Sequence, residues 1–436
     1  MTENNKPPIA ILGAGLTGMS AAHHLGGDAR DYVVYERLGH VGGHAITLEE
    51  RGYRFDRTGH LLHLRDPDIK KWVGKMFGEG HLLHIHRRSL VFSHGRYTRY
   101  PYQANTFGLP PEVAFECLKG YLEARAKQWD KAPENFEEFC LQHFGEGFSK
   151  HFMIPYNARL WGVHPREITA EWCSRFVPMP KLDDVLAGAV GLNDRELGYN
   201  AAFLYPPTGI QELPDAMAKD IAGIELNRAP SKIDWKNKRL HFADGSAHDY
   251  RALITTAPLK AFCEQLVDAP DAVRDAANKL RCNRLWYLDV ATHKPVQKDL
   301  HWAYVPEEKY PFYRIGCYSN FSAKLAPEGG SCFYVELADR SEPDMSTLRP
   351  RVARDMVEMG LITSVDDVSF MSPRKIEYAY VVFDHEYFSA LAVIKPFLEA
   401  NNIISHGRYG AWNYSSMEDA LIYGREAAGR AREMLR

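Results

Sequence analysis

The sequence predicts an α/β protein: a Rossmann-like nucleotide-binding domain, discontinuous along the chain, with an inserted helical domain and a mostly antiparallel β-sheet domain. Three observations predict it. A short apolar run, Ile9 to Leu12, leads through a glycine-rich turn and a helix-forming stretch into a second β-rich run, Tyr32 to Tyr35. From Pro110 to about Leu160 apolar residues recur at helical spacing among many charges. Beyond Leu226, strand-like segments alternate with Gly, Pro and charged turns.

Taken in order, Met19 to Leu25 carries helix formers, so the first thirty-five residues read as a βαβ unit. Val113 to Trp129 and Phe136 to Phe148 read as helices. Around Leu226 to Asp249 two strands flank Asp244-Gly245, a hairpin signal. Leu253 to Thr256 is a buried-looking strand stopped by Ala257-Pro258, and Leu285 to Ala291 and Ser331 to Glu336 belong to the second sheet. Ile403-Ile404 returns as a strand, and Met417 to Leu435 closes the chain as a helix.

Composition narrows the class. At 436 residues the chain exceeds what one core serves, so two or three units are expected. Hydrophobic residues at 45% and charged residues at 25% are the balance of a soluble globular protein. A net charge of -3 gives no electrostatic support for nucleic acid or an anionic membrane as partner. Seven cysteines, an odd number with no C-x-x-C pair, point to a reducing compartment. Met1 to Pro8 lacks the order of a secretion signal and no apolar run reaches 18 residues, so a cytoplasmic protein without an integral membrane segment is expected.

Gly13-Ala14-Gly15-Leu16-Thr17-Gly18 fits G-x-G-x-x-G between strand and helix. Gly13 allows the turn, Gly15 lets backbone approach a pyrophosphate, and Gly18 lets helix pack on strand, while Leu16 and Thr17 open the helix whose N-terminus receives the phosphates. Glu36, ending the second strand, is placed to accept from ribose hydroxyls. A bare glycine motif is weak, but both strands, the helix and the acid accompany this one. Arg37 follows the acid, and Gly42, Gly43 and His44 lie just beyond, where small residues let backbone pass close to a second phosphate and a flavin. That extension resembles FAD enzymes related to amine oxidases and protoporphyrinogen oxidase, so FAD is expected rather than a nicotinamide dinucleotide.

Beyond this motif the chain resembles the UDP-galactopyranose mutase family, in five patches spread over nearly its whole length. Thr58-Gly59-His60-Leu61-Leu62-His63 resembles the segment beside the flavin, and Tyr100 to Asn105 the lead into the helical domain. Pro155 to Gly162 resembles the tyrosine-to-tryptophan stretch of the nucleotide pocket, with Arg175 following at the bacterial spacing. Tyr304 with Pro311-Phe312-Tyr313-Arg314 resembles the stretch supplying a substrate tyrosine and arginine, and Gly407 to Tyr414 the flavin-binding G-R-x-G-x-[WY]-x-Y. No patch is decisive alone; their order and spacing together are hard to obtain by chance.

The resemblance implies a division of labour. Residues 1–100 with about 201–260 and 395–436 would form the FAD-binding domain, 101–200 the helical nucleotide domain and 261–394 the antiparallel-sheet substrate domain. Arg175 and Arg314 would grip the diphosphate, helped by Tyr304, Tyr380 and Tyr414, while Tyr156, Asn157 and Trp161 would line the base pocket. His60 and Gly59 would sit at the flavin's reactive edge, Arg408 on the flavin or its phosphate, and the Met417 amide at the pyrimidine oxygen. His60, Arg175 and Arg314 are the catalytic candidates. Each has a plain alternative: a domain-bridging arginine, a core tyrosine among 23, or a histidine satisfied by a local bond. His63, His81, His84 and His86 make no metal pattern, so no metal is expected.

In that family reduced FAD attacks the anomeric carbon through N5 and exchanges pyranose and furanose rings without net redox change. The expected substrate is thus a nucleoside-diphosphate sugar, UDP-galactose first, with NAD(P)H as a possible external reductant and a homo-oligomer possible. Three positions depart from the family pattern: Thr58 replaces a glycine, Val381 replaces the proline after Tyr380, and Ser415 to Asp419 lacks the family's segment. Two rivals stay open, an amine-oxidase-like oxidase or desaturase and a non-catalytic nucleotide-sugar-binding flavoprotein.

Overall fold

The computed structural model describes residues 8–26, 31–171, 177–192 and 201–436. Its mixed α/β architecture matches the expected class. The first strand, β1 (Ile9–Leu12), is buried along its whole length and lies at the middle of a five-stranded sheet. That sheet runs Ile403–Ser405, Ala252–Thr255, β1, β2 (Tyr32–Tyr35) and Ile224–Glu225, every neighbouring pair parallel. A parallel sheet is covered on both faces, which is why these strands are continuous apolar runs rather than alternating ones.

One cover is α1 (Leu16–Leu25), which packs against the last helix, Met417–Leu435. Ser20 Oγ donates to Leu421 O at 2.6 Å across that contact. The last helix starts where the sequence places it because Ser416 caps the Asp419 amide while Asp419 accepts from the Ser416 amide.

The helical segment contains Pro111–Ala126, Phe136–Phe148 and Ile154–Trp161, and its buried aromatics share a core with strands and helices from 230 to 412. A second, seven-stranded sheet runs Val368–Val381, Cys282–Thr292, Ser331–Leu337, Phe312–Cys317, Trp302–Tyr304, Ser89–Ser93 and Arg96–Arg99. It is antiparallel except where Trp302–Tyr304 meets Ser89–Ser93. Strands 89–99 therefore sit with the second sheet, whereas the expected division kept them with residues 1–100; pairing across more than 200 residues leaves no local signal. The hairpin at Asp244-Gly245 is present, with a third strand, Pro230–Asp234, beside it. Among the described residues no helix is long and apolar enough to cross a membrane.

Candidate active site

The glycine turn has the geometry its sequence implies. Gly13 has φ of 102°, and a Cβ there would stand 2.3 Å from Thr256 Oγ1; one on Gly18 would stand 1.9 Å from Gly13 O. Gly15 and Gly43 approach each other closely, a Cβ on Gly43 lying 3.3 Å from Gly15 Cα. Gly42 N donates to Ala14 O at 2.8 Å and holds the second loop against the first. Glu36 is buried and accepts from Ala14 N at 2.7 Å and Leu38 N at 2.9 Å, fixing its carboxylate at the strand end. Arg37 beside it is exposed.

Further in, two imidazoles, His44 and His60, lie near two guanidinium groups, Arg57 and Arg408. Arg57 Nη1 lies 3.3 Å from His44 Nδ1, and the His44 ring meets Tyr409 edge-on at 5.4 Å. Burial, then the nearby Arg57 charge, push His44 down to about 3; burial likewise brings His60 down to about 4, with Arg408 and Arg314 adding to it. Both imidazoles are therefore neutral at pH 7. His60 Nδ1 and Arg57 Nε are buried with no partner among the described residues. A glycine turn at a helix N-terminus, an acid at the strand end and unpartnered buried nitrogens on His60 and Arg57 fit a dinucleotide cofactor with a hydrogen-bonding ring.

The departures noted above now have locations. Thr58 has φ of 63°, the left-handed region that suits glycine, and is held there by its amide to Asp56 O at 3.0 Å. Asp56 in turn accepts from Thr47 Oγ1, Tyr205 OH and Ile210 N. Glu418, in the altered segment, is buried and accepts from the amides of Arg65 and Asp66, tying the start of the last helix to the chain after His63. Its neighbour Met417 is the first residue of that helix, as expected.

At the other end, Arg314 projects from Phe312–Cys317 between two strand neighbours, Tyr304 on one side and Glu336 on the other. Its Nη2 donates to Glu336 Oε1 at 2.6 Å and to Tyr380 OH at 3.1 Å. Burial pulls the Arg314 pKa down, but the Glu336 carboxylate outweighs it and keeps the guanidinium charged. Tyr380 and Tyr414 stack at 6.0 Å, Trp161 packs against both at 5.7 and 6.2 Å, and the Arg408 guanidinium sits 4.7 Å over the Tyr414 ring. Arg408 also donates to Ser415 O at 2.7 Å and Ala379 O at 3.2 Å. Tyr156 stacks on Phe152 and meets Tyr304 edge-on at 5.2 Å.

Tyr156, Trp161, Tyr304, Arg314, Tyr380, Tyr414, Arg408 and His60 are thus linked into one lining by ring contacts, hydrogen bonds and the fields of their charges. Asn157 is buried, and its Nδ2 donates to Met153 O at 2.7 Å within the helical segment. Arg175 lies outside the described residues. Glu336 and Arg57 escaped the sequence analysis, because a buried glutamate in an unbroken apolar strand has no motif. Among the described residues no three His, Cys, Asp or Glu are grouped to hold a metal.

A model of the family described as flavin containing amine oxidoreductase matches residues 16–431. The chain belongs to that family. A crystal structure of reduced UDP-galactopyranose mutase superposes on this flavoprotein with a TM-score of 0.91 at 26% identity, covering 98% of this chain and 94% of that one. A putrescine oxidase shares the fold at a TM-score of 0.68 and 13% identity, over 99% of both chains. Among curated proteins, dTDP-fucopyranose mutase of Escherichia coli is 24% identical over 181 residues, 40% of this chain and 47% of that protein. A 4,4'-diapophytoene desaturase (4,4'-diaponeurosporene-forming) of Staphylococcus aureus is 30% identical over 89 residues, 20% of this chain and 17% of that protein. The matched stretch is under half of each curated relative's length. The likeness to the mutase structure covers the fold nearly end to end, as the five sequence patches implied.

Proposed function

We propose that this flavoprotein is an FAD-dependent nucleotide-sugar mutase that exchanges pyranose and furanose rings, with UDP-galactose the leading substrate. The carrying observation is Arg314 with Tyr380 and Tyr414: a charged guanidinium among phenols, a lining suited to a diphosphate rather than to an amine. The structural likeness to a UDP-galactopyranose mutase and the partial match to a dTDP-fucopyranose mutase support the same reading.

Bound and reduced, FAD would supply a nucleophilic N5 to the sugar's anomeric carbon. The chain's own residues have the remaining tasks. Arg314, steadied by Glu336, offers its free donors to the diphosphate and retains it between departure and return. Because Tyr380 accepts from Arg314, its own O–H is available to a phosphate oxygen, and burial lifts its pKa to about 12, so it stays a donor. Burial raises Tyr304 in the same direction. Neutral His60, its buried Nδ1 without a partner among the described residues, would offer that nitrogen to the flavin without adding charge. Tyr156 and Trp161, the latter packed on Tyr380 and Tyr414, would flank the base. Arg175 would be the second arginine on the diphosphate. NAD(P)H would be the external reductant in a cytoplasmic setting.

The test compares dithionite-reduced and oxidised protein incubated with UDP-galactopyranose, following the ring isomers by chromatography. Furanose product in the reduced sample alone supports the mutase. Oxygen consumption with an amine substrate and no ring isomer would replace it with an oxidase, and bound flavin with neither activity would leave a non-catalytic binder.

A further inference from the structure

Tyr380 and Trp161 lie on different elements, a β-strand of the second sheet and the end of a helix in the helical segment, and one buried side chain joins their backbones. Asn283, 9% exposed, accepts the Tyr380 amide on Oδ1 at 2.9 Å. Its Nδ2 donates to Leu160 O at 2.9 Å and to Trp161 O at 3.0 Å. Those carbonyls belong to the last turn of Ile154–Trp161, where no intrahelical amide remains to satisfy them. Both amide hydrogens and the carbonyl are used at once, so the side chain has one orientation.

The sheet explains why the bridge is needed. Asn283 pairs with Tyr380 but Leu285 pairs with Ile376, so two residues of one strand span four of the other. Such a bulge re-aims side chains and breaks the ladder. Here it carries Ala379 O to Arg408, and the Tyr380 amide is met by a side chain in place of a strand carbonyl. From this bridge the connection runs onward: the Trp161 ring lies 5.7 Å from the Tyr380 ring, and Tyr380 OH lies 3.1 Å from Arg314 Nη2.

We propose that Asn283 is a positioning residue that sets Trp161 against Tyr380 and so fixes the diphosphate end of the site; what the two rings hold rests on the mutase reading. Asn283→Ala removes both halves of the bridge. Asn283→Asp keeps the acceptor for Tyr380 and is nearly isosteric, but turns a carboxylate toward the Leu160 and Trp161 carbonyls, so it breaks the helix side alone and carries the test should the alanine variant fold poorly.

The experiment uses holoprotein with matched flavin content, hydrogen exchange of peptides covering 159–162 and 379–382, and UDP binding by calorimetry. N283A is expected to lose protection in both peptides, N283D chiefly in the helix peptide, and both to bind UDP about tenfold more weakly. UDP affinity within twofold of wild type in both variants would overturn the proposal and make Asn283 a purely structural residue. Wild-type protein that binds neither UDP nor dTDP would defeat the mutase reading instead. The exchange data then decide on their own: joint loss of protection in N283A upholds the bridge, and loss confined to the 379–382 peptide rejects it.

Discussion

Arg314 and Glu336 stand directly opposite each other on adjacent antiparallel strands, Nη2 2.6 Å from Oε1, with the Glu336 side chain wholly buried. A carboxylate has been placed where it serves a guanidinium and nothing else in reach of solvent. Removing one member of such a pair leaves the other charged and buried, which costs about 3–5 kcal/mol. Glu336→Ala should therefore lower stability on that order in a denaturant titration and weaken UDP binding. Glu336→Gln, which retains a hydrogen-bond acceptor, should lose less of both. An alanine variant with unchanged denaturation midpoint and UDP affinity would show the pair to be idle.

Tyr380 reaches the same guanidinium from the edge strand Val368–Val381, with two strands lying between them in the sheet order. Phenylalanine there removes a donor aimed at a charged ligand, worth about 1.5–3 kcal/mol, and leaves the ring packing intact. The expected outcome for Tyr380→Phe is UDP affinity reduced by about ten- to a hundredfold with normal flavin content, measured by calorimetry on the reduced protein.

Gly43 has φ of 62°, and a Cβ there would press on Gly15 Cα at 3.3 Å. Gly43→Val should push the second loop off the glycine turn where backbone is expected to approach the cofactor's phosphates. Purified variant is expected to show far-ultraviolet dichroism like wild type but a visible flavin absorbance reduced by about tenfold or more relative to protein. Full flavin content in this variant would place the cofactor elsewhere.

Acid should act on His60 in a definite direction. Burial holds its pKa at about 4 in the fold, against 6.5 as the ordinary value. Between those limits the unfolded chain binds the extra proton and the folded one does not, so stability falls as pH falls through the window. Asp56, which burial lifts to about 6, acts in the opposite sense, so the wild-type profile mixes the two. The difference between proteins separates them: His60→Gln should lose less stability than wild type between pH 6.5 and 4, read from denaturation midpoints. Parallel profiles would mean that the imidazole titrates as if exposed.

Where the relevant interactions are short in sequence, they were legible. Gly13 to Gly18 and Glu36 describe one turn and one strand end, and the last helix begins at Met417 because Ser416 and Asp419 cap it within a single turn. The resemblance of Pro155 to Gly162 singled out Trp161 and Asn157, but not that Trp161 meets Tyr380 and Tyr414 or that Asn157 Nδ2 donates to Met153 O. Helical spacing tells which residues share a face, not which amide finds a backbone carbonyl first.

What the sequence by itself determined is the βαβ opening, its glycine turn, the acid at the strand end and the family pattern of tyrosines and arginines. Only the tertiary structure decided that Glu336 faces Arg314, that strands 89–99 complete the second sheet, and that Asn283 bridges Trp161 to Tyr380. The physical reason is range. Turn conformation and capping arise among residues a few positions apart, whereas strand register and buried hydrogen bonds join residues 20 to more than 200 apart and are chosen by the packing of the whole core.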